Sequence, residues 1–164
     1  MNQFIRCSFL LVYVTISLNL VNCSTKKNTT TKERQLEFST LYKGFYCTQN
    51  KRENNIIKDS KALEAFWNKT FAKEFPIRDL PRIDFSKQML IACFNGEFNS
   101  GGHSIEITKI TKSKRSIQIN VDITRPGTKC ATSAAFTQPY HIILVDLFES
   151  NIDFVDSTTT TVCN

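Results

Sequence analysis

The chain has 164 residues, with 21 Lys plus Arg against 15 Asp plus Glu, a formal net charge of +6. That length suits one domain with extensions, and an apolar share of 41% supplies a core. The basic residues (Lys26, Lys27, Arg34, Lys51, Lys112 and Arg115 among them) are scattered and do not interleave with aromatics. This argues against nucleic-acid binding, while the charge suits contact with acidic partners or anionic surfaces.

Residues 1–23, MNQFIRCSFLLVYVTISLNLVNC, carry one charge at Arg6 and then an apolar run from Cys7 to Val21. The run is short and interrupted for a membrane span of about 20 residues. It has the layout of a secretory signal peptide over 1–22. Its end, Leu20-Val21-Asn22-Cys23, resembles a bacterial lipobox, in which the Cys thiol is lipidated and becomes the mature N-terminus. Asn22 stands where that motif usually has Gly, Ala or Ser. An ordinary signal peptide with a chance Cys at its end is the alternative. Residues 24–35 hold no apolar residue and read as flexible, so 23–39 is expected to tether a folded domain over 40–156. These features place the protein on a bacterial cell envelope, at an outer or periplasm-facing membrane, anchored by lipid on Cys23. A secreted or periplasmic soluble form is the alternative.

Within the domain, residues 40–47 read as a first strand, with Leu41, Phe45 and Cys47 on one face and Tyr42 and Tyr46 on the other. Residues 51–55 read as a turn and 54–60 as a short extended segment. The single predicted helix covers 60–75. Ser60 is its candidate N-cap, and Leu63, Phe66, Trp67, Phe71 and Phe75 recur at spacings of three and four. That stripe is expected to bury Trp67 against a sheet, with an aromatic ligand groove as the alternative. Pro76 and Pro81 end the helix in an extended loop.

Residues 87–98 are apolar throughout Met89 to Phe94, as in a strand buried on both faces. Residues 103–110 alternate at Ile105 and Ile107. Residues 116–124 set Ile117, Ile119, Val121 and Ile123 against Gln118, Asn120, Asp122 and Thr124. A basic hairpin turn over 111–115 joins the two. Residues 125–139 are a loop of small residues, and 140–148 are again apolar on both faces. Residues 152–155 read as a short final strand and 157–164 as a polar tail. The sum is α+β: a mainly antiparallel sheet of about five strands with one amphipathic helix packed on one face.

Gly101 and Gly102 are adjacent in a chain with five glycines. A phosphate-binding loop opens into a helix; this pair opens into a strand. It reads as the positive-φ turn of a hairpin joining 88–97 to 103–111. Gly96 reads as a bulge or a close backbone approach.

Cys47, Cys93, Cys130 and Cys163 remain once Cys7 and Cys23 are set aside. In an exported chain they permit disulfides, with three connectivities. Without a CxxC pair, a ribbon-type zinc site is not expected, and no other metal or cofactor is. The favoured bridge is Cys47–Cys163, tying the tail beside the first strand, with Cys93 and Cys130 as a second bridge or as buried thiols. The two histidines, His103 and His141, accompany no catalytic motif. Cys93 or Cys130 with His141 is a formal nucleophile pair, and buried or bridged cysteine is the plainer reading. Asp79, Asp84, Glu97 and Glu106 are dispersed. No enzyme activity and no small-molecule substrate are expected.

The order of these pieces resembles the C-terminal domain of the protease complex subunit PrcB family, over residues 40 to 156. The residues that carry it are Trp67 on the helix, Asp84 and Phe85 in "PRIDF", Gly96, Gly101 and Gly102, then Pro139, Tyr140 and His141. His103 stands where the family usually has Tyr. The resemblance implies a non-catalytic accessory or binding module on the envelope, with a protein partner, a protease among the candidates. A proteinase inhibitor acting through exposed loops and an unrecognised hydrolase are the alternatives. Loop 125–139 separates them, because an exposed loop entering a protease favours inhibition and a polar pocket beside His141 favours an enzyme.

Overall fold

A computed structural model describes residues 33–76 and 78–163. The expected signal segment 1–22, the lipidation site Cys23 and the polar stretch 24–32 lie outside them. In chain order the elements are β1 (Arg34–Leu36), β2 (Phe38–Gly44), β3 (Arg52–Ile57), α1 (Ser60–Thr70), β4 (Gln88–Asn95), β5 (Ser104–Lys112), β6 (Ser116–Pro126), β7 (Tyr140–Asp146) and β8 (Asn151–Thr161).

The α+β class holds, with mainly antiparallel strands and one helix among the described residues. The expected single sheet is instead two four-stranded sheets, ordered β1-β5-β6-β8 and β2-β7-β4-β3. The sequence pattern shows why. Side chains of a strand alternate between its faces. Met89, Ile91 and Cys93 of β4, with Ile143 and Val145 of β7, meet the isoleucines and Val121 of β5 and β6. Leu90, Ala92 and Phe94, with Tyr140 and Ile142, meet Leu63, Phe66, Trp67 and Phe71 of the helix segment. β4 and β7 are thus the centre of a middle layer, covered by a sheet on one side and a helix on the other. β6 belongs to an outer layer, so only its Ile117, Ile119, Val121 and Ile123 are buried.

The N-cap of helix α1 lies one residue before the expected Ser60. Asp59 is the N-cap, its Oδ1 accepting from Ala62 N at 2.7 Å. The helix stops at Thr70, so Phe75 leaves the buried stripe and is 98% exposed. Pro76 keeps Phe75 itself out of the α region, although the helix has already ended at Thr70 with Phe71 as its C-cap. Trp67 is buried as expected. Its ring meets Phe71 edge-on at 4.7 Å and Tyr42 at 5.3 Å, and its Nε1 donates to Arg78 O at 3.1 Å.

Three boundaries move outward. The 51–55 turn is the start of β3. The folded part begins at β1, inside the expected tether, where Arg34–Leu36 pairs with β5. The polar tail 157–161 is the second half of β8, paired in parallel with β6. A chain that passes from β1 to β2 through Glu37 crosses from one sheet to the other and closes that side of the sandwich. The opposite side is bridged by Arg52 of β3, whose Nε and Nη2 donate to both carboxylate oxygens of Asp156 on β8 at 3.0 and 2.7 Å.

The disulfide is Cys130–Cys163, not Cys47–Cys163. The final strand runs beside β6, so Cys163 arrives at the loop that follows β6 and not at the first strand. Cys47 and Cys93 are free thiols.

Candidate interaction surface

Antiparallel register brings one set of chain turns together at one end of the sandwich. Gly44 of β2 and Phe94 of β4 both pair with Tyr140, the first residue of β7. Arg52 of β3 pairs with Asn95. Helix α1 ends here too, because Thr48 N donates to Thr70 O at 3.0 Å. The segments 45–51, 96–103 and 127–139 and the stretch after α1 therefore share this end.

Backbone bonds lock these segments to one another. Phe98 and Thr137 exchange two bonds of 2.9 Å, and Gly101 N donates to Ser133 O at 3.0 Å. Gln138 N donates to Phe45 O at 2.7 Å, and Asn95 N to Pro139 O at 2.9 Å. The Gln138 amide donates to Glu97 at 2.7 Å. The Cys130–Cys163 bridge fastens the same loop to the end of β8.

The glycine pair belongs to this assembly. β4 and β5 lie in different sheets, so Gly101 and Gly102 do not close a hairpin; they carry the chain from the middle layer to the outer one. Gly102 has φ +84° and packs on Pro126. A Cβ on Gly101, whose φ is ordinary, would fall on the Ser133 hydroxyl. Gly96, at φ +88°, is the expected close approach: a Cβ there would lie 3.2 Å from Arg52 N and Asn50 O. His103 stacks flat on Phe98, ring centres 3.7 Å apart and planes within 5°. Burial first, then the Arg125 charge, lowers its pKa and favours the neutral ring.

The other singled-out residues are structural as well. Asp84, exposed, organises the turn before β4: its carboxylate accepts from Ser86 N and Oγ and pairs with Lys87 at 3.1 Å. The Ser86 hydroxyl, then Lys87, hold its pKa down. Phe85 packs on the helix-side core. Tyr140 is buried edge-on to Phe71 at 5.6 Å, and burial raises its pKa.

His141 and Cys93 are cross-strand partners in the middle layer, so the formal pair does form in space. Both groups are held in their neutral forms. His141 Nδ1 accepts from Ile107 N at 2.8 Å, which leaves the proton on Nε2, 2.9 Å from Thr40 Oγ1. Burial, reinforced by Lys43 and opposed by Glu106, pushes the ring down to about 4. Burial lifts the Cys93 thiol to about 12 and Cys47 to about 11, so neither forms the thiolate a nucleophile requires. Cys130 is bridged. His141 links the sheets, β7 to β5, at the bulge between Ile107 and Lys109. Among the described residues no cluster of three His, Cys, Asp or Glu side chains could hold a metal ion.

What the motifs leave unexplained is aromatic. Phe45 (50% exposed), Tyr46 (63%), Phe75 and Phe136 (68%) all sit on the segments of this one end. Tyr46 and Phe75 share an open groove of about 650 Å³ with Tyr42, Pro76, Arg78 and Asp79. Its floor is rigid: the Arg78 guanidinium lies 4.6 Å from the centres of both Tyr42 and Phe71 and donates twice to Glu74 at 2.7 Å. Exposed aromatics of this kind mark interfaces more often than ordinary surface. The sequence holds a signal for one of them, since Pro76 denies Phe75 its helical place. Phe45 and Tyr46 lie past Gly44, where β2 ends, and an alternating pattern alone does not show that end.

The architecture is that of a small two-sheet domain with paired loops gathered at one end. Residues 89–146, from β4 to β7, match the family described as PrcB C-terminal, and the chain is PrcB-like over that segment. The match contains both interlocked loops, 96–103 and 127–139. No curated protein and no solved structure matches the chain.

Proposed function

We propose that this protein is a non-catalytic, envelope-anchored accessory module that docks on a protein partner through its aromatic loop end, the partner belonging to an exported protease complex. The observation that carries the docking is the gathering of Phe45, Tyr46, Phe75 and Phe136 on one locked end. The PrcB C-terminal match supports the choice of a protease-associated partner. The Leu20–Cys23 sequence supports the anchor. A docking surface already fixed by backbone bonds loses little freedom on binding, and aromatics supply much of the anchor energy at interfaces.

Co-purification from native envelopes tests the reading. A Tyr46→Ser, Phe75→Ser protein is expected to be present at normal level and to lose its partner, which mass spectrometry identifies in the wild-type sample. Equal recovery of that partner by both proteins refutes docking through this end.

A further inference from the structure

The hairpin that joins β5 to β6 ends in a basic turn. Lys112 closes β5, Lys114 and Arg115 stand in the turn, and Ser116 opens β6. Ser113 fixes that turn: its N donates to Ser116 O at 2.9 Å, and its hydroxyl accepts from Arg115 N at 3.2 Å and Ser116 N at 3.1 Å. Arg34 of β1 joins the group as the cross-strand partner of Lys112. All four basic residues are exposed, and Glu33, Ser113, Lys114 and Arg115 line an open depression of about 530 Å³. The ion pairs among the described residues all use other cations. Like charges directly opposite each other in a sheet repel, so Arg34 beside Lys112 opposes folding instead of supporting it. Such local conflicts are expected where function sets the residues.

Position in the chain selects the partner. Glu33, just before β1, follows Cys23 by ten residues. An extended backbone covers at most about 35 Å in that number, so a lipid on Cys23 keeps the start of β1, and Lys112 beside it, close to the bilayer. Residues 24–32 add Lys26, Lys27 and Lys32 and no acid. Over 24–34 and 112–115 the single acid is Glu33, and Glu149, in the neighbouring connection from β7 to β8, is paired with Lys58. A single acyl chain anchors a protein only marginally, and a polybasic patch is a common second signal. β5 spans nine residues, about 30 Å of strand, and segment 96–103 lies at its other end. Contact at the basic turn therefore leaves the aromatic loops pointing away from the bilayer.

We infer that Arg34, Lys112, Lys114 and Arg115 form a contact site for anionic phospholipid headgroups, which seats the domain on the bilayer with its aromatic loop end facing outward. The inference rests on the envelope-anchored reading and deepens it by naming what the domain touches there. Each Lys or Arg brought to an anionic bilayer adds about fivefold to partitioning. The attraction fades beyond a Debye length of about 10 Å at about 0.1 M salt, so only cations on the seated face count. Headgroup phosphates also offset the repulsion between Arg34 and Lys112.

The test is co-sedimentation with vesicles. The chain from residue 23 onward carries Cys23→Ser, so that neither the apolar run 7–21 nor an acyl chain contributes. Binding to equimolar phosphatidylglycerol and phosphatidylcholine, none to phosphatidylcholine alone, and release by salt are expected. Lys112→Gln, Lys114→Gln and Arg115→Gln together should weaken partitioning into the anionic vesicles by about 30-fold or more. Lys61, Lys69 and Lys73 are exposed on the helix segment, and changing those three to Gln gives the same net charge and should leave binding close to that of the parent. All six side chains are exposed, so both proteins should keep the parent's Trp67 fluorescence and melting temperature. Lys114→Glu alone, in the turn, checks the same point with a single change and should also weaken binding. Three results would each overturn the inference: no binding to the anionic vesicles, equal binding to the neutral ones, or equal loss in the two triple variants, which would make the attraction one of net charge only. The anchor itself is decided separately by lipid labelling at Cys23, so its failure and the failure of the headgroup site are distinguishable.

Discussion

Replacing His141 with leucine should change how this protein responds to acid. The imidazole is 1% exposed, accepts from Ile107 N at 2.8 Å and lies 2.9 Å from Thr40 Oγ1. Its folded pKa is pushed from 6.5 down to about 4, by burial first and by Lys43 second. Below pH 6.5 the unfolded chain takes up a proton that the folded chain refuses until the pH nears 4. The stabilisation from the neutral ring is therefore complete above pH 6.5 and drains away as pH falls towards 4. A shift of that size corresponds to about 3 kcal/mol across the window, at 1.36 kcal/mol per pKa unit. Leucine removes that dependence but leaves the Ile107 N–H without an acceptor, at a cost of about 1–3 kcal/mol at pH 7. Urea denaturation followed by fluorescence of Trp67, the single tryptophan, measures both effects between pH 4 and 7.5. The wild type should lose stability steeply on the acid side, while His141→Leu starts lower at pH 7 and stays flatter. His103 shifts in the same direction, so the comparison is repeated in a His103→Gln background. If the two proteins keep the same slope between pH 4.5 and 6.5, the buried neutral imidazole is not the acid-labile element.

Trp67→Ala should cost about 3–5 kcal/mol, the usual range for a buried tryptophan; an unchanged melting temperature would contradict the helix-side core. Replacing Cys130 and Cys163 together with serine should cost about 3–4 kcal/mol for a closed loop of 33 residues on the chain-entropy account. Non-reducing peptide mapping of the parent protein should recover those two cysteines in one linked peptide. Cys23 should incorporate a palmitate analogue in its native host, and equal labelling of a Cys23→Ser protein would remove the lipid anchor from the proposed function.

The strands with a clear periodic signature were legible from sequence. Residues 116–124 alternate because one face of β6 is core and the other is solvent. The unbroken apolar runs of β4 and β7 announced cover on both faces. They could not say that one cover is a helix and the other a second sheet, since either buries the same side chains. That ambiguity hid the two-sheet arrangement and turned Gly101–Gly102 into a hairpin. The second half of β8, beyond the expected strand at 152–155, escapes the sequence for a different reason. Its Ser157–Thr161 stretch is exposed on both faces, so it has no hydrophobic period, and only the β-branched threonines hint at a strand. Cysteine pairing follows from where β8 docks, and so it was unreadable before β8 was placed. Of the candidate surface, the family residues carry a motif and sit in the core and turns of the fold, while the aromatics that remain exposed carry none.

The parallel pairing of β6 with β8 also sets an order of events. β7 lies between them in sequence but in the other sheet. Sheet β1-β5-β6-β8 therefore receives its last strand only from chain that has left it for β7 and returned. Such long detours slow folding. Docking of β8 beside β6 brings Cys163 to the loop that holds Cys130, so native pairing and closure of this disulfide favour each other. A quenched-alkylation time course set beside Trp67 fluorescence would show how far the two advance together.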